Sequence, residues 1–262
     1  MIRPLQSGAA LLADVRAAPR GALHLWWLGQ SGFLVAWEGR HLLLDPYLSD
    51  SLTRKYSGTD TPHVRMTRRV VDPSRLSFVD FVTASHAHTD HLDAETLRAI
   101  RPSVLVCPEA IRELARERSE VEPQGLEEGG TADLPPFRVT AVHAEHPGAE
   151  TAFGYVVTCG RRRIYHAGDT LAFAGLGESL RPFELDVAIL PINGKVGNMS
   201  GAEAAAVAHA ARAQVAIPCH YGMFEFNTAS PDEFVRECER LGQPHHVLRA
   251  GERLTLVTDS PR

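Results

Sequence analysis

Short runs of alternating apolar and polar residues predict strands and helices throughout the chain. In the N-terminal half, strands are predicted at 23–28, 33–37, 41–44, 76–83 and 103–107. Apolar positions three and four apart predict helices that begin at Asp93 and Pro108. The polar run 49–69 shows neither period, and it is therefore predicted to be a long loop of the kind that shapes a binding site.

The C-terminal half repeats this alternation of strands and helices. Strands are predicted at 137–142, 152–158, 163–166, 186–190 and 214–218, with two more within 247–257. Helices are predicted at 202–211 and 231–241. Strands mixed with helices in both halves indicate an α/β fold in which two mixed sheets pack together with helices on their outer faces. We expect one domain over residues 1–262.

A histidine-rich segment lies directly between a predicted strand and a predicted helix. The sequence SHAHTDH at 85–91 contains four metal-binding side chains. On extended backbone His86 and His88 project to the same side, so both can reach one cation. Where the chain turns toward the helix, Asp90 and His91 can reach a second cation. These ligands suit Zn²⁺, and they also suit Mn or Fe. The alternative is a solvated loop without metal.

Two cations need further ligands, and other strand ends offer them. The candidates are His143 or His146, then Asp169, then His220. Taken singly, a histidine or aspartate at a strand end is more often a cap or a turn residue. Their joint order along the chain is what favours a shared site.

This order of residues resembles the metallo-β-lactamase fold superfamily: an H-x-H-x-D-H loop, a later histidine, a G-D pair and a final histidine. The sequences WLGQSG at 27–32, YHAGDT at 165–170 and LPING at 190–194 are most similar to the L-ascorbate-6-phosphate lactonase-like branch. The resemblance covers about 23–257, nearly the whole chain. It implies an αββα sandwich.

The resemblance also implies a site with two divalent metal ions, Zn or Mn with Fe as a further candidate. One ion would be held by His86, His88 and His146, the other by Asp90, His91 and His220, and Asp169 would bridge them. His146 is favoured over His143 because the family ligand comes just beyond the strand. Asp45 matches a family acid near the metals, and it is expected to orient a ligand histidine, with a turn cap as the alternative.

The implied activity is hydrolysis by a metal-bridged hydroxide, with Asp90 as a catalytic residue that relays a proton. Asn193 and Tyr221 follow strands that should end at the metals, so both are candidate substrate contacts, with loop packing as the alternative. The favoured substrate is a small phosphorylated sugar lactone or related ester. The alternatives are a phosphodiester of a nucleotide or phospholipid head group, and a sensor that binds metal without turnover.

Composition narrows the expected partners and location. The chain has 27 Lys plus Arg against 32 Asp plus Glu, a net charge of −5, so a long nucleic acid is not expected. No apolar run approaches the roughly 20 residues of a membrane helix, and no leader sequence is evident, which predicts a cytoplasmic protein with no membrane partner. The four cysteines form no C-x-x-C motif. A small-molecule substrate is expected, and the oligomeric state is left open between a monomer and a homo-oligomer.

Overall fold

The computed structural model describes residues 1–257, which form thirteen strands and seven α-helices. The strands are β1 (Ala22–Gly29), β2 (Gly32–Trp37), β3 (Arg40–Leu44), β4 (Phe81–Thr83), β5 (Val104–Pro108), β6 (Gln124–Leu126), β7 (Thr131–Leu134), β8 (Phe137–His143), β9 (Phe153–Cys159), β10 (Arg162–His166), β11 (Val187–Pro191), β12 (Val215–Cys219) and β13 (Arg253–Val257). The helices are α1 (Gly8–Ala17), α2 (Ser51–Lys55), α3 (Ala94–Ile100), α4 (Arg112–Ser119), α5 (Leu176–Leu180), α6 (Gly201–Ala210) and α7 (Asp232–Leu241).

The strands divide into two mixed sheets. The first has the order β13-β1-β2-β3-β4-β5-β6, antiparallel up to β3 and parallel from β3 onward. The second has the order β12-β11-β10-β9-β8-β7, parallel from β12 to β10 and antiparallel beyond. Two mixed sheets with helices confirm the predicted α/β class and its two-sheet architecture.

Apolar side chains from both sheets meet between them in one core. Leu25 and Val82 from the first sheet belong to the same buried cluster as Val139 and Val157 from the second. A separate cluster packs helices α6 and α7 against the second sheet, where Phe234 is fully buried. Burial of this apolar area is the main favourable term that holds the two sheets together.

Some predicted elements differ from the structure. The strand predicted at 76–83 is only β4, because its start belongs to a 3₁₀ turn at Pro73–Leu76, in which the N–H of Ser74 donates to the side chain of Asp72. Of the two strands predicted within 247–257, only β13 forms. The sequence patterns did not predict α1, α2, α5, β6 or β7. Helix α2 lies within the predicted loop 49–69.

No helix within residues 1–257 combines the length and the apolar character that crossing a membrane requires.

Candidate metal centre

The predicted metal ligands lie at one rim of the two sheets. Strands β3 and β4 are parallel neighbours, so Asp45 and the SHAHTDH segment leave the first sheet side by side. The N–H of Asp45 donates to the carbonyl oxygen of Thr83 at 3.1 Å, which ties the two exits together. In the second sheet β10, β11 and β12 are parallel, and Asp169 and His220 follow β10 and β12 at the same edge.

All seven predicted ligands come together there. Donor atoms within 4.8 Å of one another form three overlapping sets of potential ligands, which are His86 with His88 and His146, His86 with His91 and Asp169, and Asp90 with His91 and His220. The first and third sets are the two groups that the family resemblance implies. The sequence placed these residues up to 134 positions apart, from His86 to His220, and the fold makes them neighbours.

Asp169 lies between the two sets, nearer to the second. Its Oδ1 is 3.2 Å from Nε2 of His91, and its Oδ2 is 3.3 Å from Nε2 of His220. Oδ2 is also 3.9 Å from Nε2 of His146, which belongs to the first set. A carboxylate that lies within 4 Å of histidines from both sets has the position that a bridging ligand requires.

Several buried nitrogen and oxygen atoms of the ligands form no hydrogen bond of the required geometry among the described residues, although Nε2 of His91 and Oδ1 of Asp169 lie 3.2 Å apart. They include Nε2 of His86, Nε2 of His91 and Oδ1 of Asp169. A buried polar atom that lacks a partner is costly, so such a group requires an explanation. Nitrogen and carboxylate donors at these separations suit a divalent ion such as Zn²⁺, Mn²⁺ or Fe²⁺, so the residues present fit a resident metal.

The electrostatics of the cluster also favour cations. Burial opposes ionisation of Asp169, yet the imidazoles of His220 and His91 outweigh it and hold the pKa of this carboxyl well below its usual range. Burial disfavours a charged His220, but Asp169 and Asp90 raise the pKa of His220 to about 9. Burial of the imidazole is the larger cause, and the positive charge of His91 the smaller one, that lower the pKa of His86 well below its usual value. Burial also opposes ionisation of Asp90, yet His91 and His220 lower the pKa of this carboxyl, so both carboxyl groups favour the charged form and a positive neighbour.

Asp45 is a buried hydrogen-bond partner of the ligand segment. It is fully buried, and its Oδ2 lies 2.7 Å from Nδ1 of His91. Its two oxygens also accept hydrogen bonds from the N–H and the Oγ of Ser85, and that Oγ lies 3.0 Å from Nδ1 of His86. Asp45 and Ser85 thus orient one histidine of each set, as partners of metal ligands commonly do.

Gly168 makes room for this support. Its φ is +61°, and a Cβ at this position would lie 2.6 Å from both Cβ and Oγ of Ser85. Only glycine fits that close approach in that backbone conformation. Both residues of the G-D pair therefore have a function: Gly168 leaves room for Ser85, and Asp169 is a candidate ligand.

The structure places His146 in the cluster and His143 outside it. Nε2 of His146 is 3.1 Å from Nδ1 of His88, and Nδ1 of His146 is 3.1 Å from the carbonyl oxygen of Gly197. The side chain of His143 is half exposed, and it contacts Glu128 at 3.1 Å. The difference arises because β8 continues through His143, whose side chain points away from the centre, and the loop beyond it turns inward.

Three non-glycine residues at the centre have a left-handed backbone. They are Gln30, Asp45 and His220, with φ values of +53°, +40° and +60°. Such conformations are uncommon for residues with a Cβ, and they concentrate at functional sites. Their convergence here shows that the surrounding contacts hold these side chains in place against a local backbone preference.

Besides Ser85, two residues of the centre were not predicted. Gln30 is fully buried, and its Nε2 donates to Oδ2 of Asp90 at 2.8 Å. Arg118 of α4 donates from Nη1 to the carbonyl oxygens of Ala87 and Leu92, at 2.6 and 3.2 Å, so it links both ends of the ligand segment. Gln30 lies in the WLGQSG motif, which indicates the family but does not indicate what this glutamine does. Arg118 gave no signal in the sequence.

The two predicted substrate contacts have other partners. Asn193 is buried, and its Nδ2 donates to Oδ1 of Asn227 at 2.7 Å. The Oη of Tyr221 donates to the carbonyl oxygen of Leu248 at 2.8 Å, and its ring packs on Trp27. Neither residue lines the cavity beside the ligands. The geometry therefore favours the packing alternative at both positions.

A cavity of about 350 Å³ opens beside the ligands. His88, Asp90, His146, Asp169 and His220 form one wall, and Tyr56, His63, Phe224 and Phe226 form an aromatic wall. The His63 ring stacks on the Tyr56 ring with 4.2 Å between the ring centroids, and its centroid lies 4.3 Å from that of Phe226. The cationic side chains of Lys55 and Arg118 also line the cavity. Its size and mixture of aromatic and charged groups suit a small molecule.

The predicted loop 49–69 contributes only part of itself to this cavity. Lys55 and His63 line it. Arg54 is exposed and pairs with Glu95, whereas Arg65 is held by Asp50 at 2.7 Å and by the carbonyl oxygen of Ser49. Arg65 therefore stabilises the loop, because its guanidinium already has carboxylate and carbonyl partners.

Comparison with known proteins gives matches over most of the chain. Residues 40–221 match the model of the Beta-lactamase superfamily domain. A protein named "UPF0173 metal-dependent hydrolase" from Methanopyrus kandleri is 32% identical over 240 residues, which cover 86% of this chain and 96% of that protein.

Solved structures give the same architecture. A metallo hydrolase from the archaeon Ignicoccus hospitalis superposes with a TM-score of 0.70 at 25% identity, covering 90% of this chain and 98% of that one. The metallo-beta-lactamase fold protein YhfI from Bacillus subtilis superposes with a TM-score of 0.67 at 18% identity, covering 89% and 99%. At that identity the second likeness concerns the fold alone.

Proposed function

Because the chain belongs to the metallo-β-lactamase fold superfamily, within the UPF0173 family of metal-dependent hydrolases, we propose that it hydrolyses a small anionic ester, with a phosphorylated lactone as the favoured class. One observation carries this proposal. Five of the seven donor side chains line a cavity of about 350 Å³ that two cationic side chains also line, and the other two, His86 and His91, are buried behind them. The names of these relatives specify a metal-dependent hydrolase and no substrate.

Two divalent cations held by the two ligand sets would polarise the scissile carbonyl and lower the pKa of the attacking water. Asp169 is placed to serve both sets, and Asp45 and Ser85 keep His91 and His86 in a fixed orientation. Zn and Mn are the favoured ions, with Fe as a third candidate.

Asp90 is the proposed proton carrier. Its side chain is 16% exposed where it borders the cavity, while Gln30 holds one of its oxygens. A carboxylate at this position can accept a proton from the attacking water and pass it to the alkoxide that leaves when the ester bond breaks. Lys55 and Arg118 would bind the anionic group of the substrate, and the aromatic wall would exclude water from its apolar part.

The same side chains would suit a phosphodiester of a nucleotide or a phospholipid head group. That is the second candidate, since Lys55 and Arg118 favour a phosphate in either case. A sensor that binds metal without turnover is the third. A small-molecule partner and a cytoplasmic location belong to the proposal as well, whereas long nucleic acids and membranes do not.

The test combines metal analysis with a substrate panel. Purified protein is loaded with Zn²⁺ or Mn²⁺ and assayed on lactones with and without a phosphate, and on bis-p-nitrophenyl phosphate at equal metal content. We expect the phosphorylated lactones to be hydrolysed fastest. Asp169→Ala and His88→Ala should lose bound metal and activity together.

Faster hydrolysis of the phosphodiester would contradict the lactone as substrate and support the second candidate, a phosphodiesterase. Tight metal binding without turnover on any ester would favour the sensor. Full activity of a metal-free variant would contradict the metal-dependent mechanism itself.

A further inference from the structure

Gln30 is a buried glutamine that contacts two of the candidate metal ligands. Gln30 occupies the turn between β1 and β2 and is 0% exposed. Its Nε2 donates to Oδ2 of Asp90 at 2.8 Å, and the same nitrogen lies 2.9 Å from Nε2 and 3.4 Å from Nδ1 of His220. Since it lies near both ring nitrogens, the amide rests on the face of the imidazole. Nε2 of His220 also lies 3.3 Å from Oδ2 of Asp169 and 3.4 Å from Oδ2 of Asp90, so this ring nitrogen faces the other ligands of the centre.

The main chain of Gln30 is bound to the same ligand. Its carbonyl oxygen accepts hydrogen bonds from the N–H of His220 and from Nε1 of Trp27, both at 3.0 Å. Gln30 also keeps a φ of +53°, which is unfavourable for a residue with a Cβ. One residue thus joins the β1–β2 turn to Asp90 through its side chain and to His220 through its backbone.

A ligand carboxylate needs such a partner. When a carboxylate binds a cation through one oxygen, a hydrogen bond to the carboxylate fixes its rotation, and loss of that partner commonly weakens metal affinity 10–100-fold. Asp90 borders the cavity and is 16% exposed, so on that side solvent does not hold it in one orientation. The buried amide of Gln30 provides a fixed contact from the protein side.

We propose that Gln30 is a positioning residue of the metal centre, whose amide N–H sets the orientation of Asp90 and whose side chain braces the ring of His220. This inference rests on the proposed function, because it requires a cation bound by Asp90, His91 and His220. The expected effect is confined to this set. The hydrogen bonds of the Gln30 amide described above reach Asp90 and His220, and none of them involves the ligands of the other set, which are His86, His88 and His146.

The test replaces Gln30 by methionine, which keeps the length of the side chain and removes the N–H. Titration of metal-free Gln30→Met with Zn²⁺ should show about 10–100-fold weaker binding at one of two sites. With Co²⁺ in place of Zn²⁺, the visible absorption bands of that site should change. Gln243→Met is the matched control, because Gln243 is equally a buried amide that donates to Ala213 and Pro244 carbonyl oxygens.

A second variant keeps the test decisive if Gln30→Met does not fold. Gln30→Asn retains an amide that is one methylene too short to reach Asp90, and it should weaken the same site. Wild-type Zn²⁺ affinities and an unchanged Co²⁺ spectrum in the folded variant would overturn the role of Gln30. Failure of the wild-type protein to bind any cation would instead contradict the proposed function.

Discussion

Buried partners of the ligand residues set the geometry of the centre at the scale of single side chains. Asp45 is the clearest example, because it contacts His91 directly and His86 through Ser85. Both contacts lie out of solvent, where a lost hydrogen bond leaves an unpaired polar group behind. The orientation of two ligand histidines therefore depends on one carboxylate.

Replacement of Asp45 by asparagine should weaken metal binding about 10–100-fold. The amide has the size of the carboxylate, but its NH₂ group opposes either Nδ1–H of His91 or the donors of Ser85. Isothermal titration with Zn²⁺ measures the effect. Asp80→Asn serves as the control, because Asp80 accepts from the N–H of His41 at the opposite end of the same strands. Equal affinities in the two variants would contradict the role given to Asp45.

Sequence reasoning identified the residues of this centre unevenly, for a chemical reason. Histidines and aspartates that recur in order at several strand ends form a distinctive pattern, so His86, Asp169 and His220 could be named from the sequence. Gln30, Ser85 and Arg118 carry common groups whose use depends on contacts made only in the folded chain. The choice of His146 over His143 depended on where β8 ends, and the resemblance supplied that information where periodicity alone left both open.

Helix α4 stabilises the ligand segment at the scale of secondary-structure elements. The guanidinium of Arg118 joins the carbonyl oxygens of Ala87 and Leu92, which flank three of the ligands. Burial lowers the pKa of Arg118, yet the side chain remains a cation that forms charge-assisted hydrogen bonds. The segment thus has a fixed shape although it forms no regular structure.

Arg118→Met should lower the free energy of unfolding by about 1.5–3 kcal/mol, the range for hydrogen bonds to a charged group. It should also weaken metal binding in the absence of substrate. Urea denaturation of the metal-free protein and metal titration measure the two effects. Arg116→Met on the same helix is the control, because Arg116 pairs only with exposed Glu113 and its loss should change stability by less than about 0.5 kcal/mol. A loss no larger than that of the control would argue against the link.

Elements with a clear hydrophobic period were predictable from sequence, whereas helix α1 and most of the shortest elements were not. Helix α7 and strands β9 and β12 lie within one or two residues of their predicted bounds, because burial of one face or of both faces imposes a clear pattern. Strand β4 has only three residues, and the turn at Pro73–Leu76 takes up the start of the strand predicted at 76–83. Strand β6 is also three residues long, and too few positions show a period.

The metal centre draws on both sheets, and this matters at the scale of the whole molecule. His86, His88, Asp90 and His91 follow the first sheet, while His146, Asp169 and His220 follow the second. A cation bound to both groups must leave before the two sheets separate. Metal binding and the stability of the whole fold are therefore linked.

Addition of metal should raise the melting temperature. A ligand at 100 times its dissociation constant stabilises the folded state by about 2.7 kcal/mol, which corresponds to roughly 5–10 °C for a chain of this size. Scanning calorimetry with Zn²⁺ and with EDTA measures the shift. Asp169→Ala should show no such dependence. Identical melting temperatures with and without metal in the wild-type protein would disprove the linkage.

The wide separation of the ligands along the chain also has a consequence for biosynthesis. The SHAHTDH segment leaves the ribosome roughly 130 residues before His220, an interval of order 10 s at common rates of translation. During that interval the nascent chain exposes a histidine cluster that no second sheet completes. The full ligand set exists only once His220 has been synthesised and the second sheet has formed, so a cation that needs ligands from both sheets can bind only after that point.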